Sequence, residues 1–315
     1  MEGDEQAFPG VEVWRGGVTP WQCDEMGHMN VRFYLAIATE GLVSLAALLG
    51  MPRAFTTDAT STLLAREHHV RFLKEARPGA GLVLSGGVLD MGESDATLLL
   101  LMRHVSGEPA AAFTVKVAHV TPTELRPFPW TQATRAKAEG LRLEAPGFAA
   151  PRGLASEPVT TRASVAQAEA LGLPVTANGA IGQNDCDVFG RMLPEQVLAR
   201  IYASVGHVFR RSQAALLAAQ PDLIGRLGGA AVEYRVIYHA WPTVGDRVEL
   251  RSGHLALTPK SRTVAHWLLD PASGRPWATA EMLSLFLDLK ARKSLTLSDA
   301  ALAAMAVEPT PGVPL

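Results

Sequence analysis

Asp24 stands four residues ahead of His28, with Gly27 between them, Asn30 two residues beyond and Tyr34 one helical turn further on. A carboxylate can attack an activated carbonyl carbon or draw a proton from water, and an imidazole can orient either partner. Backbone N–H groups at the start of a helix are unpaired and carry partial positive charge, so they can receive an oxygen on which negative charge develops. Together these groups suit attack on an activated acyl carbon. Each also has an ordinary structural role. An Asp ahead of a helix is often a cap, and Asn30 can fix loop geometry by bonding backbone groups. His28 can simply pin the loop, and Tyr34 can be a core tyrosine as readily as a pocket residue.

The phrase around Asp24 occurs twice. Cys23-Asp24-Glu25-Met26-Gly27-His28-Met29 is matched by Cys186-Asp187-Val188-Phe189-Gly190-Arg191-Met192, at an offset of 163 (187 − 24), and these hold the only two cysteines of the chain. In the second copy Arg191, Leu193 and Val197 replace His28, Asn30 and Tyr34, so for Asp187 the cap reading is at least as strong as the catalytic one. Glu67 and Glu233 match at an offset of 166 (233 − 67), which predicts a shared role, either a strand-edge salt bridge or a part in the site. Around Ser261, Lys260 and Arg262 replace the Glu93 and Asp95 that flank Ser94 in the first copy. Cations there suit phosphate groups and an acidic pair would repel them. A solvated hairpin is the competing reading.

Each copy must build an element that presents its phrase. Residues 31–49 form an almost wholly apolar helix stopped by Gly50-Met51-Pro52, and in the second copy Pro194 and Glu195 open a helix on which Val197, Leu198, Ile201, Val205, Val208 and Phe209 recur at helical spacing. Strands follow over 67–72, 82–91, 96–104 and 110–119, and over 233–238, 247–257, 263–269 and 278–289, separated by Gly and Pro turns. Counting one strand ahead of each helix, the expected organisation is a first domain over 1–122, a connector over 123–175 and a second domain over 176–315. The connector is expected to hold short helices near 130–142 and 164–171 with a looser stretch over 149–158, and 298–315 to form a short tail.

With 29 basic and 31 acidic residues, nothing in the charge balance favours nucleic acid or an anionic membrane surface. Equivalent cysteines in two copies belong to two separate places, so they read as reduced thiols and favour a cytoplasmic location. The opening Met1-Glu2-Gly3-Asp4-Glu5 is acidic where a secretion signal is basic. The 31–49 run is interrupted by Arg32, Glu40 and Ser44, which reads as a buried helix and not as membrane insertion. No metal site is expected: His68 and His69 are strand neighbours that point to opposite faces. Gly79, Gly81, Gly86 and Gly87 precede no helix, so they form no phosphate cradle.

Asp24, Gly27, His28, Asn30 and Tyr34 together resemble the Asp-x-x-Gly-His-x-Asn-x-x-x-Tyr phrase of hotdog-fold acyl-CoA thioesterases of the 4-hydroxybenzoyl-CoA thioesterase type, and the second copy keeps Asp187 and Gly190 of it. The resemblance implies an α+β fold of two fused hotdog units, each a long central helix wrapped by a curved antiparallel sheet, forming an intramolecular pseudo-dimer. It implies hydrolysis of an acyl-CoA thioester with Asp24 as nucleophile or general base, at a site formed between hotdog units. Coenzyme A then enters as part of the substrate, with no separate cofactor, and association of pseudo-dimers into a homo-oligomer stays open. Two alternatives remain. Hotdog hydratases of enoyl-CoA use an Asp-x-x-x-x-His setting, whereas three residues separate Asp24 from His28. The other is a non-catalytic acyl-CoA binder or scaffold.

Overall fold

A computed structural model describes residues 8–305, without the side chains of residues 205 and 207–211. Of the expectations above, those on the opening pentapeptide, on the side chains of Val205, Val208 and Phe209 and on residues 306–315 of the tail lie outside the described residues. The chain divides into two units, Met1–Ala150 and Pro151–Leu315.

The first unit runs β1 (Val11–Gly17), α1 (Val31–Leu48), β2 (Thr62–Phe72), β3 (Gly81–Met91), β4 (Asp95–His104), β5 (Pro109–Val120) and α2 (Gln132–Glu139). Its strands pair antiparallel in the order β1-β3-β4-β5-β2. Helix α1 follows from an apolar run at helical spacing. Leu35, Ala38, Leu42, Leu45 and Ala46 are buried, and the helix lies against β1, β3 and β4. Burial of that stripe, at about 25 cal/mol per Å² of apolar surface, binds helix to sheet. Gly41 permits the close approach, because a Cβ there would stand 2.3 Å from Leu84 Cδ2. The helix ends where the sequence predicts, at Gly50 with φ +89°.

Residues 123–150, expected to belong to a separate connector, fall within the first unit. Val88 N–H donates to the Leu141 carbonyl at 2.9 Å and Leu143 N–H to the Val88 carbonyl at 3.1 Å. Ala149 is buried with Leu99, Leu101 and Ala112, and Phe148 packs on that cluster. The segment is apolar where it crosses the sheet, so it covers one face of it.

The second unit repeats the plan: α3 (Val165–Ala170), β6 (Val175–Ala180), α4 (Glu195–Ala219), β7 (Leu227–Tyr238), β8 (Arg247–Leu257), β9 (Ser261–Leu269), β10 (Pro276–Asp288), β11 (Lys293–Ser294) and α5 (Asp299–Ala304). The strand order is β7-β10-β9-β8-β6, with β11 paired to β10. This is the order of the first unit with each strand replaced by its repeat. Residues 151–175 belong here: Ala163, Ala168 and Leu173 are buried against Ala265, Trp267 and Leu269 of β9. Helix α5 packs on α4, with Leu216, Phe286, Ala301 and Met305 in one buried cluster.

Candidate active site

The Asp24 loop is built by its own backbone. Residues Pro20–Gln22 form a single 3-10 turn, and Cys23 and Met29 then bridge antiparallel. Inside that bridge, Asp24 N–H donates to the His28 carbonyl and Gly27 N–H to the Asp24 carbonyl, both at 3.0 Å. The turn needs a left-handed residue and Gly27 supplies it at φ +74°. The second copy is the same turn, with a Cys186–Met192 bridge, Gly190 N–H donating to the Asp187 carbonyl at 3.0 Å and Gly190 at φ +77°. The paired cysteines also do the same work. Cys23 Sγ lies 3.7 Å from the Thr19 carbonyl oxygen and Cys186 Sγ 3.5 Å from that of Gly182, and both thiols are free.

Asp24 does not cap α1. Asn30 is the N-cap residue, and its Oδ1 accepts from Arg32 N–H at 3.0 Å. The cap therefore falls six residues beyond the carboxylate, because the turn of Gly27 and the bridging of Met29 intervene. Asn30 also takes Phe33 N–H on its carbonyl at 2.9 Å, so two first-turn amides are already bonded. Val31 N–H has no hydrogen-bond partner among the described residues.

Asp24 Oδ1 accepts the amide of Met26 at 3.0 Å, and His28 Nδ1 lies 3.6 Å from the same oxygen. The Asp24 side chain is 7% exposed. Burial pushes its proton affinity above that of an ordinary aspartate, against the opposing pull of His28 and of the loop amides. On the other side of the imidazole, Nε2 lies 3.7 Å from Glu75 Oε1. The sequence does not single out Glu75, because its partner lies 47 positions away (75 − 28). The only local signal was its place just after strand 67–72.

Two hydrogen bonds hold the segment that carries Glu75. Met29 N–H donates to the Ala76 carbonyl at 2.7 Å, and the Tyr34 hydroxyl accepts Ala76 N–H at 2.9 Å. Tyr34 is buried, its ring edge-on to Phe72 at 5.2 Å, and burial raises its hydroxyl pKa. Tyr34 fixes the loop opposite His28.

In the second copy the carboxylate is occupied. Arg191 Nε and NH2 reach Asp187 Oδ2 at 3.0 and 2.9 Å, while Oδ1 accepts the amides of Phe189 and Arg191 at 2.9 and 3.0 Å. The guanidinium also stacks on Phe189 at 4.6 Å.

The remaining residues singled out in the sequence have other partners. Glu67 accepts from Lys116 Nζ at 3.1 Å, across the β2–β5 pair. Its counterpart Glu233 is fully buried and accepts the amides of Arg152 and Gly153, both at 2.8 Å. Both glutamates follow a bulge in their strand, which explains why they match; their partners differ. At the 258–261 hairpin, Ser261 and Thr258 bond through their hydroxyls at 2.8 Å and Lys260 is exposed. Arg262 turns inward over the Phe286 ring at 5.7 Å, where burial lowers its pKa to about 10. The surface cation pair expected from the sequence is therefore reduced to Lys260, since the odd–even alternation of β9 sends Arg262 to the interior face.

The thioesterase-like superfamily matches residues 18–138 and 181–305, once on each unit. Both the repeat and the Asp24 loop fall within the match, and the chain belongs to this superfamily. Its units are hotdog folds, and thioester hydrolysis is the general activity that membership carries. Among solved structures, a candidate oleoyl thioesterase from Lactobacillus plantarum is 12% identical over 93% of this chain and 99% of its own, at a TM-score of 0.65. The 12:0-ACP thioesterase from Umbellularia californica is 11% identical over 86% and 92%, at 0.61. An acyl-ACP thioesterase from Bacteroides thetaiotaomicron is 10% identical over 87% and 96%, at 0.58. At such identities the likeness is one of fold. No curated protein matches the sequence.

Proposed function

We propose that the protein hydrolyses an acyl-CoA thioester to the free acid and coenzyme A, with Asp24 as the acting carboxylate and the first unit as the working copy. The observation that carries this reading is the contrast between two equivalent aspartates. Asp24 is held by amides and flanked by an imidazole; Asp187 is ion-paired to Arg191.

A carboxylate with raised proton affinity is a better base, so Asp24 is assigned to remove a proton from water. The Met26 amide and His28 both engage Oδ1, which leaves Oδ2 for the water. The resulting hydroxide attacks the thioester carbonyl, the carbonyl oxygen takes up the negative charge, and the Val31 amide receives it. Collapse breaks the C–S bond and releases the coenzyme thiolate, which takes the proton from Asp24. His28, between Asp24 and Glu75, orients the carboxylate. A cytoplasmic setting fits two free thiols.

The test is thiol release from a panel of acyl-CoAs, with the same acyl groups on acyl carrier protein in parallel. Release from the coenzyme esters is expected. Binding without release would instead mark a non-catalytic acyl-CoA binder, and release confined to the carrier-protein esters would overturn the substrate assignment.

A further inference from the structure

The two units place different chemistry at one matched set of positions. In the first, β3 pairs Gly86 with Leu100 of β4, and Val13 is the bulged residue of β1 between Glu12 and Trp14. In the second, β8 pairs Ser252 with His266 of β9, and Thr176 is the bulged residue of β6 between Val175 and Ala177. The offsets are 163 (176 − 13) and 166 (252 − 86 and 266 − 100), the same two that relate the Asp phrases and the strand glutamates. In the first unit the three are apolar and tightly fitted. A Cβ on Gly86 would stand 2.7 Å from Leu100 Cδ2. The second unit exchanges all three for hydrogen-bonding side chains.

These side chains form a relay whose protons can be assigned. Thr176 Oγ1 donates to the Leu250 carbonyl at 3.2 Å, Thr176 and Ser252 bond through their hydroxyls at 3.2 Å, and Ser252 Oγ lies 2.8 Å from His266 Nδ1. A hydroxyl has one proton to give. Thr176 spends its proton on the carbonyl, so Ser252 must donate to Thr176, and His266 must donate from Nδ1 to Ser252. No other assignment keeps all three bonds. Burial, with His254 and Arg262 nearby, pushes the His266 pKa down to about 3 and keeps the ring neutral. Its Nε2 is therefore a bare lone pair.

That atom is buried and has no hydrogen-bond partner among the described residues, in a side chain that is 1% exposed. Unmet buried acceptors are costly and rare. Ala265, Trp267 and Leu269 of β9 pack against the α3 layer, so His266 lies on the opposite face of the sheet. Its strand neighbours on that face, Val264 and Leu268, and the cross-strand Ala280 are all buried and apolar. Arg262 and His254 lie on the same face beyond Val264, so the apolar stretch at His266 itself fits a hydrocarbon, and its one acceptor fits one donor group on that chain.

We propose that this face of the second unit binds a hydroxylated acyl chain, the hydroxyl donating to His266 Nε2. The first unit, with Val13, Gly86 and Leu100 in the same places, offers only hydrocarbon contact. The ligand's being an acyl group rests on the thioester reading above; the site itself does not involve Asp24.

Free acids test the proposal without hydrolysis. Calorimetric titration of the full chain with octadecanoic acid and with octadecanoic acids hydroxylated at successive positions should show at least one hydroxylated chain binding about tenfold more tightly than the parent, the gain expected of one buried hydrogen bond. The pair Ser252→Gly with His266→Leu, which installs the first unit's residues, should abolish that preference and keep binding of the parent acid. Where the pair fails to fold, histidine ¹⁵N spectra of the unaltered protein give the second reading: His266 Nε2 should resonate as an unprotonated nitrogen and shift on addition of the preferred acid. Equal binding of all the acids, as when an ordered water meets Nε2, would overturn the proposal, and so would a protonated Nε2. Absence of thiol release by the unaltered protein, with the hydroxyl preference intact, would count against the thioesterase reading alone.

Discussion

Arg191 holds Asp187 through two nitrogens on one carboxylate oxygen, at 3.0 and 2.9 Å, and the residue in Arg191's place in the first copy is His28, 3.6 Å from Asp24. One position decides what each aspartate can do. A guanidinium is permanently charged and presents a fork of donors, so it fills its carboxylate's acceptor sites. An imidazole orients the carboxylate without consuming it.

Asp24 is expected to oppose folding. Its native pKa is raised, so the native state binds more protons than the unfolded state between the ordinary aspartate value, about 3.9, and the native value. Stability therefore falls as pH rises through that window and stays lower above it. Asp24→Asn should then unfold at a higher temperature than the parent at neutral pH and lose that advantage in acid, as thermal melts at several pH values would show. The same shift places the acid limb of kcat/KM above the range of an ordinary aspartate.

The converse holds for Asp187. Its side chain is 22% exposed and that of Arg191 only 7%, so Asp187→Asn strands a buried guanidinium and should cost about 1–3 kcal/mol. Melts would read that loss, while thiol release at a temperature well below the transition stays unchanged.

Glu75 faces the ring nitrogen of His28 opposite the one that lies near Asp24. Glu75→Gln should lower kcat about tenfold, less than the roughly 10²–10⁴ of a general base, with KM unchanged and the acid limb displaced. An unaltered pH profile would remove Glu75 from the site.

Tyr34→Phe removes the acceptor of Ala76 N–H, leaving a buried amide unmet at a cost of about 1–3 kcal/mol. If Tyr34 holds the Glu75 segment, the variant should also show the Glu75→Gln change in pH profile. Loss of stability with an unchanged profile would make it a core residue only.

Much of this was legible in the sequence because the phrase and the strands recur at nearly constant offsets. Helix α1 and strand β8 fall where periodicity and the Gly and Pro stops put them. The Asp24–His28 neighbourhood was legible because it is local, formed within one turn around Gly27. What escaped was long-range or directional. Glu75 reaches His28 only through the Ala76 bonds, the 123–175 segment divides between units according to the sheet each part covers, and the inward turn of Arg262 depends on strand alternation beyond a hairpin tip. Sequence also favoured a capping role for Asp187 at least as much as catalysis; its partner is Arg191, visible in the phrase but with a geometry only the folded turn supplies.

Thiol release by Asp24→Asn and Asp187→Asn, measured side by side on an acyl-CoA that the parent cleaves, tests the central claim most directly. The first should fall by a hundredfold or more, in the range of about 10²–10⁴ for a lost general base, and the second should match the parent. Activity retained in Asp24→Asn, or lost equally in both, would contradict the assignment of catalysis to the first copy.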